Sequence, residues 1–232
     1  MRHKWYFMGC FLCVSVLFAQ KELALDSLDT KYREDQFYFG VTYNALTNAP
    51  ELVDSQGLTG SIHFGFTRDM PINKSRNLSI ALGMGASFDE YGTTLFIGED
   101  ELNRTIFTSL STTDVVYDVN RFSTASLEVP LEFRWRTSTA ENYRFWRFYA
   151  GVRFGYTYWY KSSFKQDGTT VIQTDIPEFN NMRLGATLSI GYNTVNFYGY
   201  YGITPLFDNA ITTNGTPIQM STLKLGLLFF FL

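Results

Sequence analysis

Cysteine is almost missing from this chain of 232 residues: there are two, Cys10 and Cys13, both near the N-terminus. Histidine is as scarce, with His3 and His63 alone. Charged side chains make up 18% of the total, below the roughly 25% usual in soluble domains. Beyond the first twenty positions no uninterrupted apolar run reaches the length of about 20 residues that a membrane helix needs. Each shortage excludes something. Once the N-terminal segment that carries both cysteines and His3 is removed, a single histidine without thiols cannot close a zinc site of Cys and His ligands. Basic residues are not in excess, 19 against 22 acidic, so nucleic acid is excluded as a partner. Helical membrane spans are excluded by the short apolar runs.

The N-terminus carries a removable address. MRHKWYFMGCFLCVSVLFAQ starts basic (Arg2, His3, Lys4), continues apolar from Trp5 to Phe18 and ends on Ala19-Gln20. That is the layout of a secretory signal peptide over 1–19. Cleavage after Ala19 takes both cysteines with it and leaves no disulfide. It also removes Arg2 and Lys4, so 17 basic side chains face 22 acidic ones, a net charge of about −5. Residues 20–34, polar and aperiodic, read as a periplasmic lead-in.

What the rest has in plenty is aromatic side chains, 18% of the chain, at a mean hydropathy of only −0.09. They recur with period two, the spacing of a strand with unlike faces. LEVPLEFRWR shows it plainly: Leu127, Val129, Leu131, Phe133 and Trp135 share one parity, while Glu128, Glu132, Arg134 and Arg136 take the other. In NLSIALGMGASFD, Leu78, Ile80, Leu82, Met84, Ala86 and Phe88 oppose small residues and Asp89. FYFGVTYNAL, GSIHFGFTR, RFYAGVRFGYTYWY, MRLGATLSIGY, VNFYGYYGIT and STLKLGLLFFFL bring the count to eight. Short polar turns fall near 69–77, 137–144 and 193–196, and longer connections near 46–57, 90–120, 161–178 and 206–217. The longest holds its own hairpin, TTLFIG and RTIFTSL around EDELN.

An even number of alternating strands with short turns at one end and long loops at the other predicts an eight-stranded antiparallel transmembrane up-and-down β-barrel over 35–232, in the bacterial outer membrane. Closure satisfies every backbone donor and acceptor, which lipid demands. The apolar parity then meets lipid, and the small, charged parity fills a narrow interior. Glu128, Glu132, Arg134, Arg147, Arg153, Arg183 and Lys224 are thereby set in the lumen. The two glutamates are predicted to pair with two or more of the cations, as buried charges require. Trp159 and Tyr149 are placed inside as well, with Tyr160 outside. A lumen so crowded reads as plugged, and the protein as a non-enzymatic structural or interaction barrel. A narrow porin for ions or small solutes is the alternative.

The remaining candidates carry less. His63 lies inward near Ser61, in no catalytic motif, and reads as an interior side chain. Glu99-Asp100-Glu101 lacks the spacing of a calcium loop and reads as a solvated hairpin tip. No cofactor is implied. The last strand, Lys224-x-Gly226-x-x-Phe229-x-Phe231, is similar to the signal by which barrel-assembly machinery recognises its clients, although Leu232 follows the final aromatic. LEVPLEFRWR and FYAGVRFGY, with Glu128, Pro130, Gly151, Gly155 and Gly191, resemble the small outer-membrane β-barrel family of Bacteroidetes, porin-like or PorT-like. That resemblance implies a barrel without catalytic residues; its PorT branch implies partners in protein secretion or elsewhere in the envelope.

Overall fold

The computed structural model describes residues 35–113, 115–137 and 145–231. The expected signal peptide over 1–19, the expected lead-in over 20–34 and most of the 137–144 turn lie outside the described residues. Eleven strands follow in chain order: β1 (Gln36–Thr47), β2 (Gly60–Pro71), β3 (Leu78–Gly92), β4 (Leu95–Glu99), β5 (Thr105–Ser109), β6 (Val119–Arg136), β7 (Trp146–Gln166), β8 (Thr169–Gln173), β9 (Met182–Tyr192), β10 (Val195–Gly202) and β11 (Ser221–Phe231).

Eight of them form a closed antiparallel wall. The pairing runs β1–β2–β3–β6–β7–β9–β10–β11 and returns to β1, where Phe37 faces Phe231 and Thr47 faces Ser221. No sheet edge is left open within this ring, as a lipid-embedded sheet requires. β4 and β5 form the hairpin expected inside the longest loop.

Side chains divide by parity. Phe37, Phe39, Val41 and Tyr43 stand outward on β1, and Ile80, Leu82, Met84 and Phe88 on β3. Their neighbours Tyr38, Thr42, Ser79, Ala81 and Ser87 are buried inside. Aromatic side chains gather at both ends of the apolar band: Tyr43, Tyr156, Tyr158 and Tyr201 toward the loops, Trp135, Trp146, Tyr192 and Phe197 toward the turns. Such girdles mark the two membrane interfaces.

One strand breaks the alternation. Ala125 pairs with Trp159 and Ser126 with Thr157, so Tyr158 is left over as a β-bulge. A single extra residue exchanges the faces of everything beyond it. Trp159, expected inside, therefore stands outward at 46% exposure. Tyr160, expected outside, turns in and packs on Phe122 and Phe179. Strict alternation cannot announce such an insertion.

The loop end is taller than expected on one side. β7 continues to Gln166 and turns back as β8 through Asp167-Gly168, both at positive φ (48° and 79°). Asp-Gly is the preferred pair for that two-residue turn. At the other end β2 extends to Pro71, so Asp69 belongs to a strand and lies inside, fully buried.

The long loops do not hang free. Val53 from the first, Leu95, Ile97 and Phe107 from the hairpin, Ile176 and Phe179 from the third, and Leu206, Phe207, Ile218 and Met220 from the last form one buried apolar cluster with Tyr91 and Phe122 of the wall. Phe207 touches the rings of Phe107, Phe122 and Phe179 at centroid distances of 5.4, 5.7 and 5.9 Å. The loops thus supply a small hydrophobic core of their own above the barrel.

Candidate functional site: the barrel interior

The interior is built in layers by inward residues of facing strands. At the turn end, Arg136 donates to Asp69 at 2.9 Å, and Asp69 also accepts from Ser79 at 2.6 Å. Arg134 lies 3.8 Å from the same carboxylate and donates to Glu132 at 2.8 Å and to Thr67 at 2.7 Å. Its guanidinium stacks 4.5 Å from the centroid of Tyr149. Arg147 sits 4.5 Å over the ring of Phe145.

Midway, Arg153 donates to Glu128 at 3.0 Å, with Glu132 at 4.0 Å. The rings of Tyr38 and Tyr198 flank it, each centroid 5.3 Å away. His63 lies against Tyr198 at 5.1 Å, and its Nε2 has no hydrogen-bond partner. The Ser61 hydroxyl donates to Asn44 at 2.7 Å. His63 and Ser61 are therefore engaged with other neighbours, and the pair does not assemble a nucleophile and base.

Near the loops, Lys224 donates to Asp89 at 2.6 Å, its Nζ 5.2 Å from the ring of Tyr200. Arg183 donates to the Pro205 carbonyl at 3.2 Å and stacks on Phe179 at 4.7 Å, tying the interior to the cap. A cavity of about 20 Å³ remains between Asp89, Glu128, Arg183, Tyr200 and Lys224, room for roughly one water molecule.

The glutamates thus meet Arg134 and Arg153, whereas Lys224 takes Asp89 and Arg183 takes a backbone carbonyl. Two carboxylates were overlooked as partners in the sequence. Asp89 stands on the inward parity of its strand, and Asp69 shares parity with His63 and Thr67 once β2 is carried three residues past Arg68, to Pro71. The interior rings were also undervalued. Tyr38, Tyr149, Tyr198, Tyr200, Leu228 and Phe230 form a second buried cluster, and glycines on facing strands make room for it. A Cβ on Gly85 would come within 2.1 Å of the Tyr38 hydroxyl, and one on Gly40 within 2.1 Å of the His63 ring.

In the last strand, Lys224 is buried, Phe231 stands outward, and Gly226 lies so close to β1 that a Cβ would meet the Val41 carbonyl at 2.1 Å. Among the described residues no group of three or more His, Cys, Asp or Glu is arranged to hold a metal ion. The acidic tip is turned on itself: Asp100 accepts from the backbone N–H of Arg104 and of Leu102 and from the Arg104 guanidinium.

A closed wall with an apolar outer band, two aromatic girdles and a filled lumen defines a β-barrel of the bacterial outer membrane. The chain belongs to the outer membrane protein β-barrel domain family, whose model matches residues 18–208. Two solved structures of Ail, the attachment invasion locus protein of Yersinia pestis, align with 85% of this chain and 99% of their own at 14% identity. Their TM-scores are 0.31 and, for the complex with the heparin analogue sucrose octasulfate, 0.32. No curated protein sequence matches.

Proposed function

We propose that this protein is a closed, non-enzymatic barrel that serves the envelope as a scaffold and interaction surface and does not pass solutes. One observation carries the reading: Arg153, fixed between Glu128, Tyr38 and Tyr198 at mid-height, fills the lumen where a channel would have to run. The layers above and below it, and the apolar cap, support the same conclusion. Single-channel recording on the refolded mature barrel in a planar bilayer tests it. A silent bilayer holding demonstrably folded barrel is the expected result. Steady, salt-dependent conductance would make it a narrow porin and remove the plug.

The resemblance carried by Glu128, Pro130, Gly151, Gly155 and Gly191 extends the proposal to the Bacteroidetes PorT-like barrels and to a part in protein secretion. Deleting the gene and finding an unchanged set of secreted proteins would withdraw that extension. The C-terminal strand, through Lys224, Gly226, Phe229 and Phe231, is proposed as the segment that barrel-assembly machinery reads. Exchanging Phe229 and Phe231 for serine should lower the amount of folded barrel in the membrane in vivo.

A further inference from the structure

β8 has one side without a partner among the described residues. It is the last strand in the sheet order and is bonded to β7 alone, whereas every wall strand has a neighbour on either side. The turn decides which of its backbone groups are left over. Asp167 and Gly168, both at positive φ, close a two-residue hairpin in which Gln166 faces Thr169. Such a closing pair exchanges both of its hydrogen bonds. Alternation then turns the N–H and C=O of Thr169, Val171 and Gln173 toward β7, and those of Thr170 and Ile172 away from it. The far side of β7 agrees with this phase: the Lys165 carbonyl accepts from the backbone N–H of Asp118, on the side of β6. Beyond the ladder with β7, no residue from 169 to 175 makes a backbone–backbone hydrogen bond within the described residues.

An open row of backbone donors and acceptors is a template for one more strand, and proteins blunt it with lysine, proline or a bulge. Thr169-Thr170-Val171-Ile172-Gln173 carries none of the three. Four of its five residues are β-branched, which suits an extended backbone that stays extended. Thr170 and Ile172, the two residues whose groups point outward, are both exposed. β7 also lifts this hairpin clear of lipid, because it continues eight residues past Tyr158 of the upper girdle, roughly 25 Å along the strand.

The free groups name the chemistry of the occupant. Donors and acceptors alternating at strand spacing are matched by another extended backbone, and no sugar or lipid repeats that spacing. The side chains narrow it further. Phe164 and Val171 share the face on which Phe96 packs against Phe164 at 5.0 Å, while Lys165 beside Thr170 and Ser163 beside Ile172 stand on the other. The Lys165 side chain is 50% exposed, and Asp118 lies 3.9 Å from its Nζ, too far for a hydrogen bond. An added strand sits two strands from β7, about 10 Å, a span that a lysine and a glutamate close between them. We propose that β8 accepts an extended segment of a partner protein as an added antiparallel strand, with an apolar side chain beside Ile172 and a carboxylate beside Thr170, toward Lys165. The proposal rests on the reading of this protein as an interaction barrel and names the class of partner.

The test uses the refolded mature chain in nanodiscs of neutral phospholipid and the fluorophore-labelled peptide acetyl-Thr-Ile-Thr-Glu-Thr-amide, read by anisotropy. The peptide should bind, and the amides of Thr170 and Ile172 should gain protection from hydrogen exchange. N-methylation of its Ile, whose N–H would face β8, should weaken binding roughly tenfold, the scale of one good contact. N-methylation of its central Thr, whose N–H faces away, should leave binding unchanged. Thr170→Pro removes only an outward N–H and should cost a similar factor. Lys165→Glu should weaken the peptide too, and a peptide with Lys in place of Glu should then recover the affinity. Heat-modified gel mobility would verify that each variant is folded. Equal loss from both N-methyl peptides, indifference to Thr170→Pro, or protection that misses Thr170 and Ile172 would overturn the proposal. So would absence of binding. Conductance is a separate matter: a silent barrel that ignores the peptide overturns this proposal alone, and a conducting barrel that binds it overturns only the plug.

Discussion

Arg153 shows how single residues are held inside this barrel. Its guanidinium has Glu128 at 3.0 Å and a tyrosine ring on either side, and the same pairing of carboxylate with ring recurs at Arg134 and Lys224. An ion pair alone often fails to offset the desolvation of two buried charges. A desolvated cation over an aromatic face contributes about 2 kcal/mol more. Removing one member therefore strands the other: Glu128→Ala should cost about 3–5 kcal/mol, read as a lower denaturant midpoint of the refolded barrel. An unchanged midpoint would show that Glu132, at 4.0 Å, suffices. Gly40→Ala should also destabilise, by about 1–3 kcal/mol of overpacking, because the His63 ring occupies the site and is itself enclosed. Its check is the same denaturant series, and wild-type stability would mean the ring can step aside. At this scale the sequence was legible in sign but not in partnership. Parity told which charges face inward, whereas pairing depends on stagger between strands, which no single strand records. Hence Lys224 was foreseen inside without Asp89.

The elements were legible wherever alternation was clean. All eight wall strands and the β4–β5 hairpin follow from period two and turn chemistry. The bulge and β8 did not, for different reasons. A bulge is one residue in an aromatic-rich stretch, Tyr156 to Tyr160, in which Thr157 alone is not aromatic and both parities carry rings. β8 is announced by Asp167-Gly168, but its five residues put one apolar side chain on each face, Val171 and Ile172, so neither parity stands out as a buried one. Gly168→Ala, at φ 79°, should cost about 1–2 kcal/mol in this turn. The loss should stay local, with faster amide exchange in β8 and an unchanged barrel melting temperature; a lowered barrel melting temperature would mean the hairpin is part of the cooperative unit. The β4–β5 tip responds to acid instead. Bonds from the Arg104 backbone and then its guanidinium hold the Asp100 carboxyl below the usual range. A depressed pKa stabilises above the unfolded value, near 4, and the contribution disappears as pH falls through the lower folded value. Amide exchange at Leu102 and Arg104, corrected for intrinsic rate, should therefore quicken below about pH 4. A flat profile would mean the tip is held by its backbone alone.

For the molecule as a whole, the cap matters as much as the wall. Its apolar residues come from four loops far apart in sequence, of which only the one holding β4 and β5 is regular, so no periodicity links them. Phe207→Ala, which deletes a ring in contact with three others, should cost about 3–5 kcal/mol. Proteolysis of intact barrels would then reach the loops of the variant and spare those of the parent; equal resistance would mean the cap tolerates the cavity. Closure has a further consequence, and it concerns time. β1 finds one of its two neighbours near the beginning of the chain and the other at the very end, with Phe37 opposite Phe231. Contacts so distant in sequence form slowly, and until they form, two strand edges stay unpaired. No partial chain can therefore be a finished piece of wall. The first strand waits for the last, and the step that ends the exposure of both edges is the meeting of β1 with β11.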